Sequence, residues 1–254
     1  MNLLRDRVHN LLTRLQRLTR LQRLSPVQSC LNWLLPAECI GCKQAIDSSE
    51  HPFCDHCYPL LPFQQHCCQR CGQAFAADLD YCGRCLQNAP AFDRCFCPFR
   101  YEPPINNQLR QFKYHQRPEL ARSIASMLST EILAHQLAMP ELLIPVPMHI
   151  SKLRQRGFNQ AWQLTRQLSR LLAIPCSHKL IIKNKATPAQ AQQKWRQRLV
   201  NVRGSFALNQ TPRCKHIAII DDVVTTGSTA AEISKILKKN GVDYVQVWGI
   251  AHTV

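Results

Sequence analysis

Hydrophobic residues recur along this chain with three different rhythms, and each rhythm predicts a different kind of structure. At the start, Leu4, Val8, Leu11, Leu15, Leu18, Leu21 and Leu24 return every three or four residues with arginines between them, which predicts an amphipathic helix. Ser25-Pro26 ends it, because a residue before proline is pushed out of helical geometry, and a second apolar stretch runs from Cys30 to Leu35. From residue 37 to 97 aliphatic residues are sparse and neither period holds. Beyond that, helical and strand patterns alternate. Helices are predicted over Glu119–His135, Phe158–Leu172, Thr187–Val200 and Thr229–Lys239, with short buried strands at Leu142–Val146, His216–Ile220 and Val245–Trp248. Asn240-Gly241 supplies the stop after the last helix.

Strands alternating with helices predict an α/β domain, a mostly parallel sheet covered on both faces, whose site lies beyond the carboxyl ends of its strands. The chain therefore divides into a basic amphipathic helical lead-in (1–36), a cysteine-rich module (37–97) and an α/β domain (98–254). The lead-in packs on the rest of the protein or on a partner, or else meets a membrane surface or an anionic polymer.

Cysteine usage explains how the middle segment folds with so little apolar material. Twelve of the fourteen cysteines fall between Cys30 and Cys97. Four pairs, Cys39/Cys42, Cys54/Cys57, Cys68/Cys71 and Cys82/Cys85, have two residues between the sulfurs, the spacing that lets a tight turn aim both at one tetrahedral ion. Two such pairs close a structural zinc site, and metal then supplies the folding energy. Redox or iron–sulfur chemistry and unliganded thiols are weaker alternatives. Sequential and interleaved pairings satisfy the spacing equally, and Cys67 competes with Cys68. His51, His56 and His66 fit as loop residues better than as ligands.

The net charge of +16 matters for its distribution. Between Leu142 and Ile220 there are fourteen Lys or Arg and no Asp or Glu. A solvated face normally mixes signs, so this segment points to a polyanion, with nucleic acid favoured over phosphate-rich small molecules or an acidic protein. Phe158, Trp162, Trp195 and Phe206 are candidate stacking surfaces for bases, each also a candidate core residue. Arg154, Arg156, Arg196, Arg198 and Arg203 are candidates for contacts to a DNA backbone. No run of 18 apolar residues and no secretory leader is present in the sequence, so the cytoplasm is the expected location, with a peripheral position at the inner membrane face compatible with the basic lead-in.

The strongest chemical signal is Ile219-Ile220-Asp221-Asp222-Val223-Val224-Thr225-Thr226-Gly227-Ser228-Thr229. Thr225, Thr226, Ser228 and Thr229 offer hydroxyls, Gly227 permits close backbone approach, and a helix starting there presents unpaired N–H groups to an anion. Together they suit a monoester phosphate. Asp221 and Asp222 can accept hydrogen bonds from ribose hydroxyls or organise hydrated Mg²⁺. The loop lacks the lysine of a P-loop nucleotidase.

The cysteine pairs, Phe99-Arg100-Tyr101 through Phe112-Lys113-Tyr114, Pro145-Val146-Pro147, Arg154-Gln155-Arg156-Gly157-Phe158-Asn159-Gln160, Gln190 with Arg198 and Asn201, and the terminal turn together resemble the ComF/GntX family. That resemblance implies an N-terminal zinc finger joined to a type I phosphoribosyltransferase-like domain, and a site for 5-phosphoribosyl 1-pyrophosphate. Asp221 and Asp222 would meet the ribose and Mg²⁺, and Thr225 through Thr229 the 5-phosphate. Pro147, Arg154, Arg156 and Gly157 would lie on a mobile loop facing the pyrophosphate. It also implies a role in natural transformation, handling incoming single-stranded DNA beside a helicase-like partner and recombination factors. The alternative it leaves open is an active Mg²⁺-dependent phosphoribosyltransferase with a nucleobase-like acceptor. Lys183-Asn184-Lys185-Ala186-Thr187-Pro188-Ala189-Gln190 departs from the family's Arg-x-Arg-x-Thr-x-x-Gln, exchanging guanidinium forks for ammonium groups.

Overall fold

The computed structural model describes residues 37–46, 52–75, 79–114, 120–184 and 204–253. The expected lead-in helix, the helix over Thr187–Val200, and Trp195, Arg196, Arg198 and Arg203 lie outside them.

The main sheet is parallel throughout. Its strands are β3 (Arg94–Phe96) and β4 (Phe99–Arg100) on one edge, then β9 (Tyr244–His252), β8 (His216–Val224) and β5 (Leu142–Pro145). β8 and β9 are central and read as nearly continuous apolar runs because both faces are covered. Ala218 and Ile220 point into one core with Ile124 and Leu128 of helix α3 (Leu120–Ala134) and Leu164 and Leu168 of α5 (Gln160–Leu172). Ile217 and Ile219 point into the other, with Ile233 and Leu237 of α6 (Ser228–Lys239). Period-two alternation in β8 thus feeds two cores at once.

Two further helices serve the site. α2 (Ile105–Tyr114) seats Ile105, Leu109 and Phe112 in the first core, and α4 (Ile150–Arg156) follows β5. A two-stranded ribbon of β6 (Ile181–Lys183) and β7 (Phe206–Leu208) packs over the second.

Two strand boundaries move. β8 continues through Val224 instead of stopping at Ile220, so Asp221 and Asp222 lie within the strand and not beyond it; β9 reaches His252. The pairing of Asp221 with Gly249 and of Val223 with Ala251 carries the ladder past the acids. The sheet also begins earlier than the cysteine pattern suggests, since β3 falls within 37–97 yet hydrogen-bonds to β9.

The cysteine module carries β1 (Ala37–Glu38), β2 (Ala45–Ile46), a 3-10 turn (Tyr58–Leu60) and α1 (Gly83–Gln87). It docks along the β3/β4 edge. Arg100 N–H donates to Pro62 O at 2.8 Å, Gln64 N–H to Pro98 O at 2.8 Å, and Cys95 N–H to Gln69 O at 3.0 Å. An edge that would otherwise offer open backbone groups is thereby closed. Tyr58 donates its hydroxyl to buried Glu131 of α3 at 2.9 Å, while Phe53 and Leu61 complete the first core.

Candidate functional site

The eight paired cysteines collect sequentially, Cys39/Cys42 with Cys54/Cys57 and Cys68/Cys71 with Cys82/Cys85, and in each group the sulfurs lie within 4.8 Å of one another. Contacts of 3.7 Å between Cys42 and Cys54 Sγ and 3.8 Å between Cys71 and Cys82 Sγ match the edge of a ZnS₄ tetrahedron, about 3.8 Å for Zn–S near 2.3 Å. Each half is built alike. The first pair closes a turn in which Lys43 or Gly72 N–H donates to the carbonyl of Cys39 or Cys68, both at 2.8 Å and both with positive φ. The second pair opens a short helix, with Cys57 capping the 3-10 turn and Cys82 capping α1. Cys68, not Cys67, is the ligand. Although burial opposes it, backbone N–H donors draw the Cys39 thiol down to about 6 and the Cys68 thiol down to about 7, so one thiolate per group is ready for metal. Four closed thiolates leave no open position, which makes these structural zinc sites.

The second site sits where β8 leaves the sheet. After Val224, whose carbonyl accepts from Thr253 N–H at 3.0 Å, the chain turns through Thr225, Thr226 and Gly227 into α6. Gly227 has φ +68°, and a β-carbon there would stand 3.1 Å from Cζ of buried Phe92, so any side chain at this position is strained. Thr226 Oγ1 donates to Ser228 Oγ at 2.9 Å and accepts from Ser228 N–H at 3.3 Å. The five turn residues Thr225 to Thr229 are half-buried and open to solvent, with no acid in the first turn of α6. This geometry presents hydroxyls and the N-terminal amides of α6 on one turn, an arrangement chemically suited to an anion.

The acids divide. Asp222 alternates toward the first core and meets Lys113 of α2, Nζ to Oδ2 at 2.7 Å, while its Oδ1 accepts from Val223 N–H at 3.0 Å. Burial would raise this carboxyl, but Lys113 prevails and holds it below its ordinary range. Asp221 alternates toward the second core, where Lys183 and Cys95 are electrostatic neighbours. Burial pushes its carboxyl well above the ordinary range, the charge of Asp222 adding and Lys113 opposing. Adjacent acids thus take opposite protonation tendencies.

β5 delivers the third component. Val146 N–H donates to Ile220 O at 2.9 Å, which sets the loop through Pro147 beside the acids, and Asn159 Nδ2 donates to Val146 O at 3.1 Å. Arg154 and Arg156 lie in helix α4 and not in a loop, because His149 caps its start and Gly157, at φ +81°, ends it in the left-handed region. Arg154 is exposed, whereas Arg156 donates to Gln160 Oε1 at 3.4 Å. Buried Gln160 in turn donates from Nε2 to Lys113 O at 3.3 Å. Burial and neighbouring cations lower the ammonium pKa of Lys152, with Arg156 and Lys113 nearby, and of Lys183, with Lys152 nearby. Lys113 therefore pairs with Asp222 and Lys183 is an electrostatic neighbour of Asp221, with Lys152 a neighbour of both lysines.

Lys113, Lys152, Lys183, Asn159 and Gln160 were not singled out as site residues in the sequence. Lys113 stands inside Phe112-Lys113-Tyr114, where an isolated cation between aromatics was the available signal. Among the aromatics, Phe206 is buried and Phe158 packs on Phe112 at 5.8 Å between ring centroids. Trp162 is only half-buried and stacks on exposed His178 at 4.6 Å.

A parallel α/β domain with an acid pair leading into a Thr-Gly-Ser-Thr turn, bearing two tetracysteine clusters along one sheet edge, is thus defined. Residues 30–86 match the double zinc ribbon domain. Competence protein F of Haemophilus influenzae is 34% identical over 221 residues, covering 84% of this chain and 96% of that protein. DNA utilization protein YhgH of Escherichia coli K12 is 32% identical over 224 residues, covering 87% and 99%. Among solved structures, glutamine phosphoribosylpyrophosphate amidotransferase from B. subtilis aligns with TM-score 0.38 at 17% identity, over 56% of this chain and 30% of that one. The chain belongs to the competence protein F family.

Proposed function

We propose that this protein binds a 5-phosphorylated ribose, with 5-phosphoribosyl 1-pyrophosphate the fitting ligand, and handles incoming single-stranded DNA in natural transformation. The observation that carries the first part is the continuity of the Asp221-Asp222 pair, Asp222 buried and Asp221 half-buried, with the Thr225–Thr229 turn at the head of α6. In this reading the phosphate sits on the amides and hydroxyls of Thr225 to Thr229. The ribose hydroxyls meet Asp221 and Asp222, and the pyrophosphate faces Pro147, Gly157, Arg154 and Arg156, with Lys152 and Lys183 adding charge. Mg²⁺ comes with the pyrophosphate. The carboxylates themselves suit it poorly as sole ligands, since Asp222 Oδ2 is ion-paired with Lys113 and Oδ1 of each aspartate accepts from a backbone N–H.

The DNA role draws on the acid-free stretch from Leu142 to Ile220 and on the names carried by the relatives, Competence protein F and DNA utilization protein. Arg154 and Arg156, with Arg196, Arg198 and Arg203, contact the backbone, and a helicase-like partner and recombination factors act alongside in the cytoplasm. No helix among the described residues is long and apolar enough to cross a membrane.

Phosphoribosyl transfer to a nucleobase-like acceptor is the second reading, favoured by the Val146 loop lying directly beside Asp221. Calorimetric titration with 5-phosphoribosyl 1-pyrophosphate tests the first reading: saturable binding weakened by Asp222→Asn supports it, and no heat at millimolar ligand removes it. Pyrophosphate release that requires an added acceptor base would establish the second.

A further inference from the structure

The Lys113–Asp222 contact has the geometry of a site component and not of a surface ion pair. Lys113 Nζ lies 2.7 Å from Asp222 Oδ2, and the two side chains are 26% and 8% exposed. Its position is fixed from two directions. Phe112, the preceding residue, is fully buried in the first core, and Gln160 donates to the Lys113 carbonyl at 3.3 Å. An exposed lysine would roam over many rotamers; this one is delivered by the last turn of α2 onto the strand that leads to the phosphate cradle.

Its surroundings tell against a divalent cation arriving there alone. Asp222 Oδ1 is engaged by Val223 N–H and Asp221 Oδ1 by Asp222 N–H, at 3.0 and 2.9 Å. A hard cation such as Mg²⁺ takes octahedral oxygen ligands, sheds water reluctantly and is held through one or two carboxylates, and Asp222 Oδ2 is already paired with Lys113. Here it would also meet the ammonium of Lys113 at Asp222 and the charge of Lys183 near Asp221.

We infer that Lys113 is a built-in counter-cation of the sugar-phosphate site, taking at Asp222 the place a divalent ion would otherwise hold. Ribose recognition at Asp222 then proceeds without bound metal, and Mg²⁺ enters only as the companion of a pyrophosphate-bearing ligand. The inference rests on the ribose-phosphate reading for its ligand arm alone.

Two measurements on the full-length, zinc-loaded chain test it. In the first, Mn²⁺ is titrated and followed by water-proton relaxation, which does not see zinc. The wild type gains no Mn²⁺ site that depends on Asp222, whereas Lys113→Met creates one that the added Asp222→Asn change abolishes. A wild-type Mn²⁺ site lost in Asp222→Asn overturns the proposal, as does failure of Lys113→Met to create one while its far-ultraviolet spectrum and melting remain native. In the second, ribose 5-phosphate is titrated in buffer freed of divalent ions and again with excess Mg²⁺. Wild-type affinity is the same in both, and Lys113→Met loses about tenfold without Mg²⁺, as expected for one hydrogen bond to a charged group, while Lys113→Arg retains most of it. Strong Mg²⁺ dependence in the wild type overturns the inference. If ribose 5-phosphate fails to bind under either condition, the ribose reading falls, and the Mn²⁺ result still decides the role of Lys113.

Discussion

Phe92 stands over Gly227, its Cζ 3.1 Å from where a β-carbon on that glycine would project, and this contact shapes the Thr225–Thr229 turn from below. Both the ring and the φ of +68° oppose any side chain. Gly227→Ala is expected to cost about 1–3 kcal/mol of stability and to abolish phosphate-ester binding. Thermal melting and calorimetry check it; a variant that melts and binds like the wild type would refute the preformed cradle.

The opposite shifts of the two aspartates predict opposite mutational behaviour. The folded-state pKa of Asp222 is lowered, so its contribution is present above the ordinary carboxylate pKa and is lost as pH falls through the lowered value. That of Asp221 is raised, so its contribution is full below the ordinary carboxylate pKa and disappears as pH rises through the raised value. At neutral pH Asp222→Asn should therefore destabilise the protein, leaving Lys113 without its carboxylate, while Asp221→Asn should be neutral or stabilising. Melting curves of both variants at neutral pH and at pH below the ordinary carboxylate range distinguish them, with the Asp222→Asn deficit shrinking once pH falls under the ordinary carboxylate pKa.

Metal removal should reach beyond the ribbons. Structural zinc contributes about 10–16 kcal/mol in isolated zinc-finger peptides. Here the first ribbon also feeds Phe53, Tyr58 and Leu61 into the core shared with α3. We expect two zinc ions per chain, one after Cys68→Ser and still two after Cys67→Ser, by elemental analysis. Losing the first site through Cys39→Ser should lower the melting temperature of the whole protein, since Tyr58 would release Glu131. Independent melting of the ribbons with an unchanged α/β transition would contradict this coupling.

Of the four aromatics the sequence offers for stacking, Trp162 is the described one left half-exposed beside a solvent-facing partner, His178, since Phe206 is buried and Phe158 packs on buried Phe112. Trp162→Ala is expected to weaken single-stranded DNA binding by about 1–3 kcal/mol, the range for one stacked base, while leaving the steepness of the salt dependence unchanged. Fluorescence anisotropy at several salt concentrations measures both. Equal losses for single-stranded and duplex oligonucleotides would argue against stacking.

Much of this was legible from local pattern, and the limits of that legibility have identifiable causes. Cysteine spacing identified the ligand pairs, because a two-residue gap is a property of one turn. It left sequential and interleaved assembly equal, because joining pairs 11 or 12 residues apart is a question of where the intervening chain goes. Helix α3 and the head of α6 followed from periodicity and turn chemistry. The end of β8 did not, since two acids look like a strand's exit unless neighbouring β9 and covering helices keep the ladder going on both sides.

The sequence by itself determined the parallel α/β class, the paired zinc ligands and the strand-to-helix turn at Thr225–Thr229, each of which is written in residues close together along the chain. Only the tertiary structure decided that Asp221 and Asp222 serve different neighbours. The cation that answers Asp222 comes from a helix more than a hundred residues away, and its arrival depends on how α2, α5 and β8 pack, which no local spacing encodes.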